Sequence, residues 1–415
     1  MSRLTLNRRS LIAGAAAAAT LGGTRAAWSQ AAPIRIGCLQ TLSGAMAITG
    51  KSHILGAEIA IEMINDAGGI DGRELVLETR DTQISAATAV AAMREFSGAG
   101  VNLVMGEAFS SVNLAAAPLL AELGLVMASP SAVAMDLTHE MFTPNFFRCG
   151  PNAFMQYNGQ ARLLAQEFPD VRKWGGIQTD GAGFKSGWDT MTAMLARHHK
   201  ELHGAEITVQ EPLLAKVGAN DYRSIISQLL GQDLEGLIFQ MQGQDALNFI
   251  RQAEPFDFFA NIRAIAANNI GASPGALSVA IPDFFTASCY WHPMGFEGLP
   301  MTAEFVERYK AKTGSAEVDV FATMAHTAIF GFAGAIKAAG STETDAVIKA
   351  MESQPFDSLH GPLSYRQADH QLLLDSNYVE LGRPAEGTGF VTKRFVSIPV
   401  EEVIEPATPG EAFVL

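Results

Sequence analysis

The sequence predicts an α/β protein built from two doubly wound lobes. Short apolar runs typical of buried parallel strands alternate with longer segments of helical periodicity from Ile34 onward. The alternation breaks at Gly150-Pro151 and then starts again, so that two strand-and-helix sets follow one another along the chain. A length of 415 residues leaves room for two or three domains with large cores.

The first set opens with an apolar strand over Ile34–Gln40, followed by a helix that ends at Gly68-Gly69. Glycine supplies the backbone freedom that the end of a helix needs. The predicted elements are a helix over 54–67, a strand over 75–79, a helix over 86–96, a strand over 103–105, a helix over 114–123 and a strand over 126–128.

The second set repeats this order, and a third block begins at Phe284 with the strand-like stretch FFTASCYW. Helices are predicted over 154–168, 188–202, 224–230 and 246–253, strands over 176–179, 207–210, 237–240 and 262–267, and later helices near 301–312 and 320–339. Ligands of doubly wound sheets bind beyond the carboxyl ends of the strands. Functional residues are therefore expected in the loops after Gln40, Gly106, Ala128, Thr179, Gln240 and Ala267.

The N-terminal segment 1–31 has the features of an export signal. It contains the paired arginines Arg8 and Arg9, then a short Ala-rich apolar run and small residues before a cleavage point predicted within 29–33. Paired arginines indicate the twin-arginine route, and the periplasm is the predicted location. The apolar run is shorter than the ~20 residues that a membrane-spanning helix needs. The alternative is an Ala-rich helix of the mature fold.

Charge and composition exclude several classes of function. The whole chain has 43 acidic and 29 basic residues, a net charge of −14, and the acid-free segment 1–31 holds four of the arginines, which leaves −18 for the remainder. So acidic a protein is not expected to bind nucleic acid. Cys38, Cys149 and Cys289 lie in apolar stretches and are expected to be buried thiols, with a Cys149–Cys289 disulfide left open.

Motifs that suggest an enzyme or a metal site fail on inspection. In Gly271-Ala-Ser-Pro-Gly275 the residue after the serine is Pro274, which has no N–H to donate to an oxyanion. The P-loop-like segment from Gly44 has five residues between its glycines, where four are required. His198, His199 and His203 come without a carboxylate in a catalytic pattern and are interpreted as a solvated helix end. We predict no enzymatic activity, no metal and no cofactor.

A resemblance to a known family covers nearly the whole chain after residue 33. The opening stretch, with LSG after the first strand, INDAGGIDG at the end of the helix and Asp81 after the second strand, looks like that of type I periplasmic binding proteins. More narrowly it is similar to the branched-chain amino-acid and amide group that serves ABC importers. Further matching stretches, in chain order, are GEAFSSVNLAAAPL, ASPSA, GPNAFMQ and HGPLSY.

The resemblance implies two Rossmann-like lobes joined by a multi-strand hinge, with a ligand held in the cleft between them. Carried over, lobe 1 comprises 33–148 and 292–357, and lobe 2 comprises 149–291 and 358–415. Such folds close by hinge bending. The implied partners are a small-molecule ligand and the permease subunits of an ABC transporter, and we expect a monomer.

In lobe 1 the resemblance implies that Ser110, Ser131 and Val133 hold the carboxylate of the ligand. Ser110 and Ser111 also precede a predicted helix, where a hydroxyl and free backbone N–H groups favour an anion. For Ser111 the expected role is a helix cap, and for Ser110 and Ser131 it is ligand contact. Phe109 either lines the pocket or packs in the core.

In lobe 2 the chain departs from the amino-acid binders at the matching positions. Phe184 stands where they have an aromatic residue, Gln242 where they often have a tyrosine, and Asn268 where they have a glutamate for the ligand's ammonium group. A neutral amide pairs poorly with a buried ammonium ion. Asp180, Asp245 or Glu107 remain alternatives for that role; otherwise the ligand is a carboxylate without an α-amino group, an amide or urea.

Overall fold

Strands and helices alternate along the chain in the computed structural model. It describes residues 32–44, 47–180, 182–216, 218–241, 243–268, 284–287, 289–315, 317–382, 385–386 and 391–415. The predicted signal segment 1–31 lies outside the described residues.

The first sheet is parallel, with strand order β2-β1-β3-β4-β5. Its strands are β1 (Ile34–Gln40), β2 (Leu75–Asp81), β3 (Leu103–Met105), β4 (Val126–Ser129) and β5 (Phe146–Arg148), and its connecting helices are α1 (Ala47–Asp66), α2 (Ala86–Gly98) and α3 (Ser110–Ala116). The order of connection reverses between β1 and β3. This switch point is where a crevice for a ligand opens in a doubly wound sheet.

The second sheet repeats this arrangement. Its parallel strands are β6 (Lys173–Thr179), β7 (Thr208–Val209), β8 (Leu213–Ala215), β9 (Gly236–Gln240), β10 (Ala264–Asn268) and β11 (Phe284–Ala287). Its helices are α4 (Ala153–Glu167), α5 (Ala182–His203), α6 (Arg223–Leu230) and α7 (Gly243–Ala253). Both β7 and β8 pair with one side of β6 and β9 pairs with the other, so that the switch point lies between β6 and β9.

The C-terminal part of the chain completes both lobes. The helices α8 (Pro293–Phe296), α9 (Pro300–Thr313), α10 (Val320–Ala339) and α11 (Thr344–Ser353) are followed by β12 (Ser364–Tyr365), β13 (Leu372–Leu373), β14 (Ser376–Gly382), β15 (Val391–Ile398) and α12 (Val400–Val403). Tyr365 and Leu372 share a core cluster with the first sheet. In contrast, β14 pairs antiparallel with β11 and so extends the second sheet. The predicted lobe boundaries stay predictions.

The helix α10 has the length and apolar composition of a membrane-spanning segment. However, 72% of its most apolar 18-residue stretch is buried inside the protein. The helix packs along α1, and the two backbones come into close contact at Gly56. A Cβ atom there would lie 1.9 Å from the carbonyl oxygen of Ala322. This contact explains why glycine occupies the middle of α1 despite its low helix propensity.

The predicted strands and helices are largely confirmed, with differences at short elements and helix ends. The helix α1 begins at Ala47 instead of 54, and α11 and β8 were not predicted. The three cysteines are free and buried, and Cys149 Sγ lies 3.2 Å from the hydroxyl of Tyr365. Burial raises the pKa of the Cys149 thiol to about 12, so it stays protonated.

A candidate ligand-binding site at the carboxyl edges of the sheets

A chain of buried hydrogen bonds spans the switch point of the first sheet. Gln40, the last residue of β1, donates from Nε2 to the carbonyl oxygen of Gly106, at 2.7 Å, just beyond β3. Because a carbonyl oxygen only accepts, this contact fixes the orientation of the Gln40 amide. Its Oε1 therefore faces His53 Nδ1, 3.0 Å away on α1.

The ring of His53 connects Gln40 to Ser131 and fixes the direction of the second hydrogen bond. Since Gln40 Oε1 accepts, Nδ1 of His53 carries the proton, and Nε2 is left as an acceptor. The hydroxyl of Ser131 lies 3.2 Å from Nε2 and must donate to it. Burial lowers the pKa of His53 to about 3, so the imidazole stays neutral at physiological pH. The hydroxyl of Ser131 can then offer only lone pairs to a further group.

Ser110 fixes the loop that follows β4. Its Oγ accepts hydrogen bonds from the backbone N–H groups of Val133 and Ala134, each at 3.1 Å. Ser110 itself begins α3, and Phe109 occupies the N-cap position without a side-chain hydrogen bond. The predicted capping role of Ser111 is therefore wrong, because the helix begins at Ser110, two residues earlier than that role requires. Phe109 is partly buried against the core cluster of this lobe.

Arg148 supports the same loop through hydrogen bonds from the end of β5. It is a positioning residue that the sequence analysis did not identify. Its buried guanidinium, at the end of β5, donates to the carbonyl oxygens of Ala132 and Ala134 and to the hydroxyl of Thr138. Burial lowers its pKa to about 10, which leaves it charged at neutral pH. The only signal in the sequence was an arginine inside the apolar stretch Phe146–Cys149.

Glu107, one of the predicted alternatives for an ammonium partner, is buried beside this loop. Its carboxylate accepts hydrogen bonds from the hydroxyls of Thr41 and Thr82 and from the backbone N–H of Ala108. Burial raises the pKa of this carboxyl group, and these hydrogen bonds oppose the shift. Both carboxylate oxygens are thus engaged within lobe 1.

The loop after β4 also contacts lobe 2. The backbone N–H of Ala153, the first residue of α4, donates to the carbonyl oxygen of Val133 at 3.0 Å. Met135 is buried in one cluster with Tyr157 of α4 and Trp188 of α5. The candidate carboxylate loop of lobe 1 therefore lies against the helices that open lobe 2.

The predicted lobe 2 residues are only partly described. Phe184 is half-buried in the first turn of α5 and not in a loop. Asn268 ends β10, but its side chain and all of Gln242 lie outside the described residues. Asp245 accepts a hydrogen bond from the backbone N–H of Gly218 at 2.8 Å.

The histidines of α5 have separate hydrogen-bond partners, and the expected solvated helix end is wrong for His198 and His199, which are buried. His198 Nε2 lies 2.8 Å from Asn158 Oδ1, His199 contacts Arg172, and His203 Nε2 lies 2.9 Å from the carbonyl oxygen of Ala165. In the part of the chain that the structure describes, no group of three or more His, Cys, Asp or Glu residues is placed to hold a metal ion.

Two doubly wound lobes with polar loops at the carboxyl edges of their sheets define a two-lobed ligand-binding protein. The family model of the periplasmic binding proteins matches residues 33–385, and the chain belongs to that family. In line with the resemblance to the branched-chain amino-acid group, the chain is similar to a protein of Brucella melitensis, Leu/Ile/Val-binding protein homolog 1. It is 26% identical over 367 residues, which are 86% of this chain and 92% of the relative.

Solved structures show the same fold. The leucine-, isoleucine-, valine-, threonine- and alanine-binding protein of Brucella ovis, in a closed conformation, has a TM-score of 0.75 and 19% identity, with 92% of this chain and 98% of that one covered. A solute-binding protein of an ABC transporter from Rhodopseudomonas palustris BisB5, in complex with 3,4-dihydroxybenzoic acid, has a TM-score of 0.74 and 15% identity, with 88% and 98% covered.

Proposed function

We propose that this chain is the substrate-binding component of an ABC importer and that it binds a small amino acid or related carboxylate by closure of its lobes. The observation that carries the proposal is the convergence of Ser110, Ser131 and the backbone of Val133 at the carboxyl edge of the first sheet. Ser110 accepts hydrogen bonds from two N–H groups and keeps its hydroxyl proton, which can donate to a carboxylate, whereas the hydroxyl of Ser131 accepts and suits an N–H or O–H group of the same ligand. The importer partner is inferred from proteins of the same fold, such as the solute-binding protein of an ABC transporter from Rhodopseudomonas palustris.

The proposed place of action is the periplasm. Segment 1–31 has the composition of a twin-arginine signal, and the chain belongs to the periplasmic binding proteins. Substitution of Arg8 and Arg9 by lysine should leave the precursor in the cytoplasm, as measured by fractionation. Unchanged export would contradict the twin-arginine route.

A second candidate is the same fold with an amide, urea or aromatic acid as its ligand, in an importer or a sensor. The buried carboxylate of Glu107 favours it, because both of its oxygens already accept hydrogen bonds within lobe 1. The relative solved with 3,4-dihydroxybenzoic acid has the same fold. Uptake of the identified ligand by a strain that lacks this protein would separate importer from sensor.

Thermal-shift measurements on the purified protein test the proposed binding. The probes are leucine, benzoate, 4-hydroxybenzoate, benzamide and urea. One class should raise the melting temperature, because a ligand that binds only the folded state stabilises it. If no probe raises it, the binding function proposed for these ligand classes is wrong. Chemical conversion of a stabilising probe would instead support an exported hydrolase, the least favoured alternative.

A further inference from the structure

Two buried glutamines lie side by side at the switch point of the second sheet. Gln178 on β6 and Gln240 at the end of β9 are partners in the parallel register of these strands. Their side chains are 3% and 1% exposed. Because side chains alternate along a strand, both amides share the face that carries Trp174 and Ile238.

Three polar atoms of this glutamine pair lack a hydrogen-bond partner in the part of the chain that the structure describes. Among the described residues, neither Oε1 nor Nε2 of Gln240 has a hydrogen-bond partner, and neither has Oε1 of Gln178. A nearby glutamine on α4, Gln160, behaves differently, because its Nε2 donates to the carbonyl oxygen of Ala267 at 3.3 Å. Buried amides without partners are costly, and each needs a specific explanation.

The glutamine pair lies at the place in the sheet where a ligand is expected. Ligands of doubly wound sheets lie at the switch point, and this pair occupies the strands that flank it. Trp174 and Ile238, on the same face, belong to the cluster that also contains Met135 from the lobe 1 loop and Tyr157. The glutamine pair therefore lies at the carboxyl end of the sheet face that packs on α4 and α5, in line with a cluster that Met135 of the lobe 1 loop also enters.

We propose that Gln178 and Gln240 select the ligand by binding a neutral group that both donates and accepts hydrogen bonds. Two amide oxygens require donors, and the Gln240 amino group requires an acceptor. A hydroxyl or a primary amide meets both needs, whereas a methyl group meets neither. The inference rests on the proposed function and deepens it: the ligand is a small carboxylate whose far end carries a hydroxyl or an amide.

Matched pairs of probes test this selection by titration calorimetry on the purified protein. The pairs are 4-hydroxybenzoate with benzoate and L-glutamine with L-leucine. The wild type should bind the hydroxyl- or amide-bearing member of at least one pair tenfold more tightly or better. Gln178→Met and Gln240→Met should each lose most of that preference and keep the affinity for the apolar member. The exposed Gln228→Met is the matched control and should bind as the wild type does.

The outcomes separate this inference from the proposed function. Methionine removes a buried unpartnered amide, so the ligand-free variants should melt at the wild-type temperature or above it, which excludes misfolding as the cause. If the variants keep the wild-type preference, or if the wild type prefers benzoate or leucine, the role of the pair is wrong while the binding function stands. If no probe binds the wild type, the proposed function fails, and this inference fails with it.

Discussion

His53 Nε2 lies 3.2 Å from the hydroxyl oxygen of Ser131, and this contact links the middle of α1 to the loop after β4. Through Gln40 the same ring is tied to the carbonyl oxygen of Gly106. Because that carbonyl oxygen can only accept, it sets the direction of each of the three hydrogen bonds between Gly106 and Ser131. A ligand group at Ser131 must therefore donate a hydrogen bond, as an N–H or O–H group does and a carboxylate does not.

Replacement of His53 should destabilise the fold. In His53→Leu the amide of Gln40 and the hydroxyl of Ser131 lose a buried partner, which should lower the free energy of unfolding by about 1–3 kcal/mol at pH 7.5. Urea denaturation measures this. His326→Leu is the matched control: that ring is also buried, but neither nitrogen has a hydrogen-bond partner among the described residues. It should be neutral or stabilising, and an equal loss in both variants would contradict the argument.

Stability should fall as the pH drops below about 6.5. Burial lowers the pKa of His53 and of His326 to about 3 and that of His199 to about 4. Between these values and about 6.5 the unfolded chain binds protons that the folded chain does not, so unfolding is favoured as the pH falls. Each such histidine adds up to about 1.4 kcal/mol per pH unit. Urea titrations from pH 7.5 to 4.5 should show a smaller slope in His326→Leu, and an unchanged slope would refute its contribution.

Ser110→Ala should weaken binding of a carboxylate probe more than tenfold. The change also leaves the N–H groups of Val133 and Ala134 without their acceptor, so the loop after β4 loses its fixed shape. Calorimetry with a probe that stabilises the wild type measures the effect. Ser111→Ala, at the exposed neighbouring position, should keep the wild-type affinity. Unchanged affinity in Ser110→Ala would remove Ser110 from the site.

Arg148→Met should weaken ligand binding without removing any group predicted to contact the ligand. The carbonyl oxygens of Ala132 and Ala134 would lose charged donors, at a cost of about 1.5–3 kcal/mol in the free energy of unfolding. Affinity and stability are measured side by side, with the exposed Arg223→Met as control. Full affinity in a folded Arg148→Met protein would show that the loop needs no support from β5.

Gly56→Ala should destabilise the protein by about 1–3 kcal/mol, because the added Cβ meets the Ala322 carbonyl across the helix pair. Gly98→Ala, on the exposed end of α2 with open space around the new atom, should be neutral or slightly stabilising. Thermal melts of both variants give the comparison. Equal melting temperatures would mean that α1 and α10 can move apart freely.

The order of strands and helices was predictable, because apolar periodicity is a local property of the chain. Short elements such as β8 were not predictable, since two or three residues are too few to show a period. The start of α1 was also missed, because it lies in polar and small residues that resemble a loop. The loops that form the candidate site were predicted from the rule that ligands meet the carboxyl ends of strands. That rule identified the positions of the candidate site residues but not their hydrogen-bond partners.

The sequence by itself determined the fold class, the family and the strand ends beyond which lobe 1 residues such as Ser110 and Ser131 stand. Only the tertiary structure decided what those side chains do. It set the polarity of Ser131 through His53, engaged Glu107 with hydroxyl donors, and brought Gln178 and Gln240 together. The physical reason is that a hydrogen bond depends on distance and direction between residues far apart in the chain. Periodicity and motif spacing carry no information about either.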